Sequence, residues 1–209
     1  MKKIKNTTFL LCLLGTLAFH KSNAQNLRLG IVAGANMDKT SGKDLAGKFK
    51  GNFTGGVFVG GGSNKIRVQA DLLFSQGTIT TGDNFKDAFG NYINENAGSV
   101  KSGTFKMNEL SIPLTLGINL LPKMLWFEIG PQYTAVVSIK DKNSFLTETE
   151  RVFKKGYVSG VAGLSLELPF SLNVGVRYIM GITDRNNTEV NDAWRTNHIQ
   201  VRVGWSLFK

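Results

Sequence analysis

The residues best suited to chemistry in this sequence are charged side chains that recur within segments of alternating apolar and polar residues. Arginine and carboxylate side chains can neutralise each other in a confined space, or they can line a charged constriction of a pore. Alternation places eight of them on the polar faces of the predicted strands: Arg28, Arg67, Asp71, Glu109, Glu128, Glu167, Arg177 and Arg202. Because isolated charges in a narrow interior are costly, the sequence favours a structural network of ion pairs over a pore constriction.

A second candidate is His198, the only histidine besides His20. A hydrolase needs a base beside a nucleophile and an orienting carboxylate. Ser206, Ser165 and Ser75 lie on polar faces, but the chain from His198 to Ser206 spans ~27 Å at ~3.4 Å per residue. We therefore expect a solvated histidine near one end of its strand. One histidine without a nearby cysteine makes a metal site improbable, so we predict no catalytic, cofactor-binding or metal-binding residue and no cofactor.

Eight alternating segments must position these side chains. In the clearest of them one face carries only apolar residues: Leu172, Val174, Val176, Tyr178, Met180 and Ile182. A strand with one apolar and one charged face needs lipid on one side and a polar lumen on the other. The sequence thus predicts an all-β fold, an eight-stranded antiparallel up-and-down transmembrane β-barrel. Its strands are expected at about 26–38, 52–61, 66–77, 105–118, 124–138, 156–168, 171–182 and 195–208.

Short and long connections alternate between the predicted strands. The long, polar connections are 39–51, 78–104, 139–155 and 183–194, and the others are tight turns. Short turns of such barrels face the periplasm and long loops face outward, which places both termini in the periplasm. The glycine- and asparagine-rich loop 78–104 is expected to be mobile, unless Phe85, Phe89 and Tyr92 anchor a local cluster.

Three further features of the predicted strands carry expectations. Outward aromatic residues form the two girdles expected at membrane interfaces, with Phe127 and Trp205 at one and Phe74, Tyr133 and Tyr178 at the other. Pro113 and Pro131 fall within strands, where we expect a bulge or a locally missing ladder bond. Simple alternation directs Phe208 into the lumen unless a bulge intervenes.

The amino-terminal segment predicts export. A basic start, the apolar run 9–19 and the small residues of Ser22-Asn23-Ala24 are typical of a signal peptide at 1–24, followed by a single barrel domain at 25–209. Cys12, the only cysteine, lies within that run, so the barrel domain has no disulfide or thiolate. The formal charge is +10, of which the predicted signal peptide contributes four lysines, and the remaining basic residues are divided between the lumen face and the loops, which does not favour nucleic-acid binding.

Several short motifs resemble those of a known family. They are the segments 109–114 (ELSIPL), 127–133 (FEIGPQY) and 161–164 (VAGL), and the pair Arg177-Tyr178. Together they resemble the outer-membrane β-barrel domain family, whose members are often labelled porin family proteins. The resemblance covers most of residues 25–209. It implies a barrel of OmpA-like size in the bacterial outer membrane, and it implies no substrate, cofactor or catalytic residue.

Three functions remain open on the sequence. The first is an outer-membrane barrel, not an enzyme, with a structural role or a role in recognition of an extracellular ligand through the four long loops. The second is a channel for small solutes. The third, from another class, is a lipid-modifying enzyme in the membrane. Outer-membrane lipid is the one partner that the outward apolar faces predict, and the sequence carries no signal of an oligomeric state.

Overall fold

The strands that the structure describes form one closed antiparallel barrel. The computed structural model describes residues 27–42, 45, 49–82, 85, 89–94, 103–122, 124–142, 146, 152–189 and 193–208. The predicted signal peptide lies outside these residues. The strands are β1 (Arg28–Ser41), β2 (Lys50–Gly62), β3 (Ile66–Thr80), β4 (Thr104–Leu121), β5 (Leu125–Asp141), β6 (Gly156–Glu167), β7 (Leu172–Gly181) and β8 (Arg195–Phe208), with a 3-10 helix at Gly90–Tyr92.

The strands pair in sequence order, and β1 pairs with β8 to close the barrel. The prediction of an eight-stranded antiparallel all-β fold is therefore confirmed. Within the described ranges no helix is long and apolar enough to cross a membrane. Four long connections emerge at one end of the barrel, which we call the long-loop end, and the tight turns lie at the other, the short-turn end.

Several strands extend farther toward the long-loop end than predicted. β1 runs to Ser41 and β2 begins at Lys50, so the predicted loop 39–51 was too long at both of its ends. β5 likewise continues to Asp141. The prediction followed apolar alternation, and alternation stops where the outward residues become polar. The backbone ladder depends on hydrogen bonds and continues through those polar residues.

The two faces of the barrel wall differ as the alternation predicts. Along β4, Leu114 is 50% exposed on the outside while Thr115 is 2% exposed in the lumen. Outward aromatic side chains are exposed on the predicted faces, among them Phe74, Tyr133, Tyr178 and Trp205, and Phe127 is half-buried. The barrel therefore has an apolar exterior and a buried polar interior, which is the reverse of a water-soluble protein.

The two prolines within strands are accommodated without a shift of register. Pro113 lies opposite Gln132, and Leu116 lies opposite Ile129, so the pairing of β4 with β5 is the same on both sides of Pro131. The residues between these pairs form no regular ladder contact. A locally missing ladder bond, and no bulge, is the solution at this point, because proline has no N–H to donate.

A bulge at the seam between β1 and β8 changes the direction of the final aromatic side chain. The register shifts between Leu29 and Gly30, which places Leu29 opposite Phe208. Phe208 is consequently 66% exposed on the outside. The alternation that directs Phe208 into the lumen is wrong here, because one extra residue in a bulge reverses the facing of everything beyond it.

Closure at this seam predicts a specific cross-link. Ala33 and Val203 are partners across β1 and β8, at a separation that a disulfide can bridge. The variant Ala33→Cys/Val203→Cys should oxidise to a disulfide that joins the first and last strands. In the control Ala33→Cys/Val174→Cys, the second cysteine lies on β7 directly beyond Val203, one strand farther away, ~10 Å from the first at ~4.8 Å per strand.

The readout is mobility on a denaturing gel with and without reductant. We expect near-complete cross-linking of the Ala33/Val203 pair and none of the control pair. Equal cross-linking of both pairs, or none of either, would contradict the closed seam.

Candidate functional site: a filled lumen and the loops that close it

The half of the lumen near the short-turn end is filled by arginines that share carboxylates. Glu167 accepts from Arg67 at 2.6 Å and lies 2.8 Å from Arg28. Arg67 also donates to Glu128 at 2.8 Å and to the Ser165 hydroxyl at 2.7 Å. All five side chains lie inside the barrel, where each arginine bridges groups on different strands. These bridges connect β1, β3, β5 and β6 across the interior.

The same chain of ion pairs continues through the middle of the barrel. The Arg177 Nε donates to Glu128 at 2.9 Å, and its Nη1 donates to Asp71 at 2.6 Å. Asp71 also accepts from Arg202 at 2.8 Å and from Gln69 at 2.6 Å. Cations and anions thus alternate along one path, which we call the ion ladder, in the order Arg28, Glu167, Arg67, Glu128, Arg177, Asp71 and Arg202.

Glycines on neighbouring strands make room for the arginines of the ion ladder. Gly117 lies opposite Arg67 and Gly163 lies opposite Arg177. A Cβ atom on Gly117 would lie 2.7 Å from Arg67 Cγ, and one on Gly163 would lie 2.8 Å from Arg177 Cγ. Any side chain at these positions would therefore collide with a guanidinium stem. Part of the chain's high glycine content is explained by the need to fit large charged groups into an interior this narrow.

The eighth predicted lumen charge, Glu109, has a partner outside the ion ladder. Arg185, from the long connection between β7 and β8, donates to Glu109 at 2.7 Å and to the Thr196 hydroxyl at 2.8 Å. Its guanidinium lies 4.3 Å from the centre of the Tyr157 ring. Burial by itself lowers the pKa of Arg185, but the Tyr157 hydroxyl and the Glu109 carboxylate raise it above its ordinary value. The guanidinium remains charged and fixes this loop inside the barrel mouth.

His198 is buried and paired, so the expectation of a solvated histidine was wrong. Its Nδ1 lies 2.6 Å from the Asp38 carboxylate, and its Nε2 lies 3.5 Å from the Tyr157 hydroxyl. Tyr157 in turn donates to Glu109 at 3.1 Å. Asp38 and His198 face each other across the β1–β8 seam, and the loops of the long-loop end cover what sequence reasoning treated as an open rim.

A small polar cavity adjoins Glu109 and Tyr157. Nearly all of the free space between its side chains is too narrow for a water molecule. Its polar lining includes Asn36, Ser75, Ser111, Gln132, His198 and Gln200. Side chains of the ion ladder and of the cavity lining thus occupy the lumen along this path.

The long loops pack together over the barrel mouth. Trp194 is fully buried and contacts three phenylalanine rings, with ring centres 5.9 Å from Phe85, 5.3 Å from Phe89 and 5.3 Å from Phe153. The buried cluster also includes Leu45, Leu146 and Val152 from the connections and Ile79, Phe105 and Met107 from the ends of β3 and β4. We call this cluster the loop cap. Phe85 and Phe89 therefore anchor the loop 78–104 to the barrel mouth, which is one of the two alternatives that the sequence left open.

The sequence indicated some of these residues and missed others. Alternation directed all eight predicted charges into the lumen, and the structure finds each of them buried or nearly so. Arg185 and Trp194 were not identified, because residues in irregular loops carry no periodic signal. Among the residues described, no group of three or more His, Cys, Asp or Glu side chains is arranged to hold a metal ion.

An apolar exterior, a polar filled interior and a closed antiparallel wall define a membrane-spanning β-barrel. A sequence profile described as "outer membrane protein beta-barrel domain" matches residues 23–186. The chain belongs to this family of the bacterial outer membrane. No curated protein matches the chain.

Three solved structures with a similar fold are distant in sequence. Ail, the attachment invasion locus protein of Yersinia pestis, solved with the heparin analogue sucrose octasulfate, is 9% identical, with a TM-score of 0.46 over 87% of this chain and 99% of that one. Neisserial surface protein A is 13% identical, with a TM-score of 0.45 over 86% and 97%. The outer membrane protein AlkL is 14% identical, with a TM-score of 0.39 over 90% and 94%.

Removal of one central arginine should destabilise the barrel strongly. Arg177→Met leaves Asp71 and Glu128 without their shared cation in a buried setting, a loss of about 3–5 kcal/mol in the free energy of unfolding. The matched control is Lys154→Met, which removes the more exposed ion pair with Asp184, and such pairs contribute only about 0–1 kcal/mol.

Urea titration of the folded protein in lipid vesicles, followed by tryptophan fluorescence, measures both values. Similar losses for the two variants would show that the ion ladder contributes no more than a surface pair.

Proposed function

We propose that the protein is a non-enzymatic outer-membrane barrel that acts through the surface of its loop cap, in recognition of an extracellular ligand or as a structural element. The observation that carries this proposal is the loop cap itself. All four long connections contribute buried side chains to it, represented by Leu45, Phe85, Phe153 and Trp194. A set of loops that shares one apolar core is anchored to the barrel mouth at these buried residues.

Anchored loops suit recognition for an energetic reason. A mobile loop loses conformational entropy when a partner orders it, and that loss reduces the affinity. At the residues of the loop cap this cost is met during folding, because stacked and tilted rings such as Phe85 and Phe89, 4.3 Å apart between centres, hold these anchor points together. The connections 39–51, 78–104, 139–155 and 183–194 are therefore the proposed site for an extracellular ligand.

The filled lumen argues against the channel alternative. A conducting pore needs a continuous water path, and here the loop cap, the Arg185–Glu109 pair and the ion ladder block that path in succession. To open it, buried charges would have to separate without water to solvate them. We therefore propose that the protein does not conduct solutes, although proteins of the family it resembles are often labelled porins.

The enzyme alternative is also disfavoured by geometry. His198 has an orienting carboxylate in Asp38, which is one part of a hydrolytic site. Its other nitrogen, however, faces the Tyr157 hydroxyl at 3.5 Å, and the imidazole is only 5% exposed beneath the loop cap. A lipid substrate on the outside of the barrel wall has no route to this group.

The long-loop end is proposed to face the outside of the cell, with both chain termini in the periplasm. The exported chain enters the outer membrane from the periplasm, and short turns cross the bilayer more readily than long polar loops do. On this orientation the loop cap is exposed at the cell surface, which recognition requires.

Conductance across a planar lipid bilayer separates the leading function from the channel. The wild-type protein should show no discrete openings, because the ion ladder and the loop cap occupy the lumen. Folding of the same sample is verified by the different gel mobility of boiled and unboiled protein. Steady openings whose amplitude changes in Glu109→Gln or Arg177→Met would instead identify a channel and overturn the proposal.

Cysteine labelling on intact cells tests the orientation. Gly90 is exposed in a long loop and Asn64 is exposed in a short turn, so Gly90→Cys and Asn64→Cys, each in a Cys12→Ser background, probe the two ends. A membrane-impermeant maleimide should label Gly90→Cys on intact cells and label Asn64→Cys only after the outer membrane is disrupted. The reverse pattern would place the loop cap in the periplasm.

A further inference from the structure

Two lysines face each other on the outer wall of the barrel near the long-loop end. Lys106 of β4 and Lys140 of β5 are direct partners in the ladder, and both are exposed. Their strands present apolar side chains outward below them, including Leu110, Ile112 and Tyr133. The lysine pair therefore lies on the membrane-facing side of the wall, beyond the last apolar outward residues.

A directly opposed pair of like charges is unfavourable by itself. Cross-strand neighbours have Cβ atoms ~4.5–5.5 Å apart, and two ammonium groups at such a position repel. Among the described residues, neither Lys106 nor Lys140 has a carboxylate within ion-pair distance. Lys39, by comparison, lies over the Phe49 ring at 5.6 Å, and Lys154 pairs with Asp184 at 3.4 Å. An anion held between Lys106 and Lys140 would convert the repulsion into attraction.

The height of the pair in the membrane identifies the source of that anion. Lys106 lies four residues beyond Leu110 on β4, which is ~13 Å along the strand and ~10 Å along the bilayer normal at a tilt of ~40°. The headgroup layer is ~5–8 Å thick on each side of the hydrocarbon core. Lysine stems bend back along apolar surface to reach such a layer, so both ammonium groups can enter the region of lipid phosphates.

We propose that Lys106 and Lys140 together bind the phosphate group of an anionic membrane lipid in the leaflet at the long-loop end. Each ammonium donates hydrogen bonds to different oxygens of one phosphate, and the acyl chains lie along the outward apolar face of β4 and β5. The site requires the membrane-spanning barrel and is independent of the ligand and of the orientation proposed for the loop cap.

Lipid retention measured by native mass spectrometry tests the site. The protein is folded in phosphatidylcholine vesicles with and without phosphatidic acid, extracted, and scored for bound phosphatidic acid. In Lys106→Gln/Lys140→Gln, affinity should fall about 25-fold, since each lysine near an anionic bilayer surface changes it about fivefold. The control Lys65→Gln/Arg195→Gln removes the same charge from two other exposed positions and should retain the lipid as the wild type does.

A third variant separates loss of the site from loss of the fold. Lys106→Glu replaces the repelling pair with an attracting one, so its unfolding temperature in pure phosphatidylcholine should rise while phosphatidic acid binding disappears. Increased stability together with lost lipid binding cannot arise from misfolding.

Three results would overturn the proposal. The first is equal loss of phosphatidic acid in the test and control double variants, which would indicate general charge attraction. The second is undiminished binding by Lys106→Gln/Lys140→Gln. The third is a rise in the unfolding temperature with inorganic phosphate alone that equals the rise with phosphatidic acid, which would assign the site to free phosphate.

Discussion

The sharing of buried carboxylates between arginines of different strands is the interaction on which the rest of this structure depends. In an eight-stranded barrel the interior is only wide enough for side chains, so polar residues there must satisfy one another. Glu128, Glu167 and Asp71 each contact two arginines. Such pairs are costly to bury but more costly to break. The wall can therefore be apolar outside while charged side chains fill its interior.

The fold could be predicted almost completely from the sequence, because lipid and lumen impose opposite chemistry on alternate residues. Arg177 was assigned to the lumen by that alternation alone, and the structure buries it at the centre of the ion ladder. The errors occurred where alternation carries no information. Alternation assigns Phe208 to the lumen, but a bulge at the seam turns it outward. One inserted residue reverses the facing of the residues beyond it, and nothing in the amino-acid composition signals such a bulge.

The pairing of residues across the lumen was harder to predict from the sequence than the fold was. The partnership of Asp38 with His198 depends on how the first and last strands meet, and this register is a property of closure that no local pattern encodes. Arg185 lies in a connection without periodicity, yet it supplies the cation that neutralises Glu109. Loop 78–104 has the composition of a mobile segment, yet its Phe85 and Phe89 are buried in the loop cap.

The anchoring of Arg185 inside the barrel mouth has a consequence for how the molecule comes apart. The loop cap and the wall share this side chain, together with Phe105 and Met107 at the end of β4. Withdrawal of the loop would take the Arg185 cation away from the buried Glu109 carboxylate, so local opening of the cap also destabilises the wall. The loop cap and the wall thus form a single cooperative unit. Residues on the exposed side of the loops can change in sequence only while the buried residues of the loop cap and Arg185 are retained.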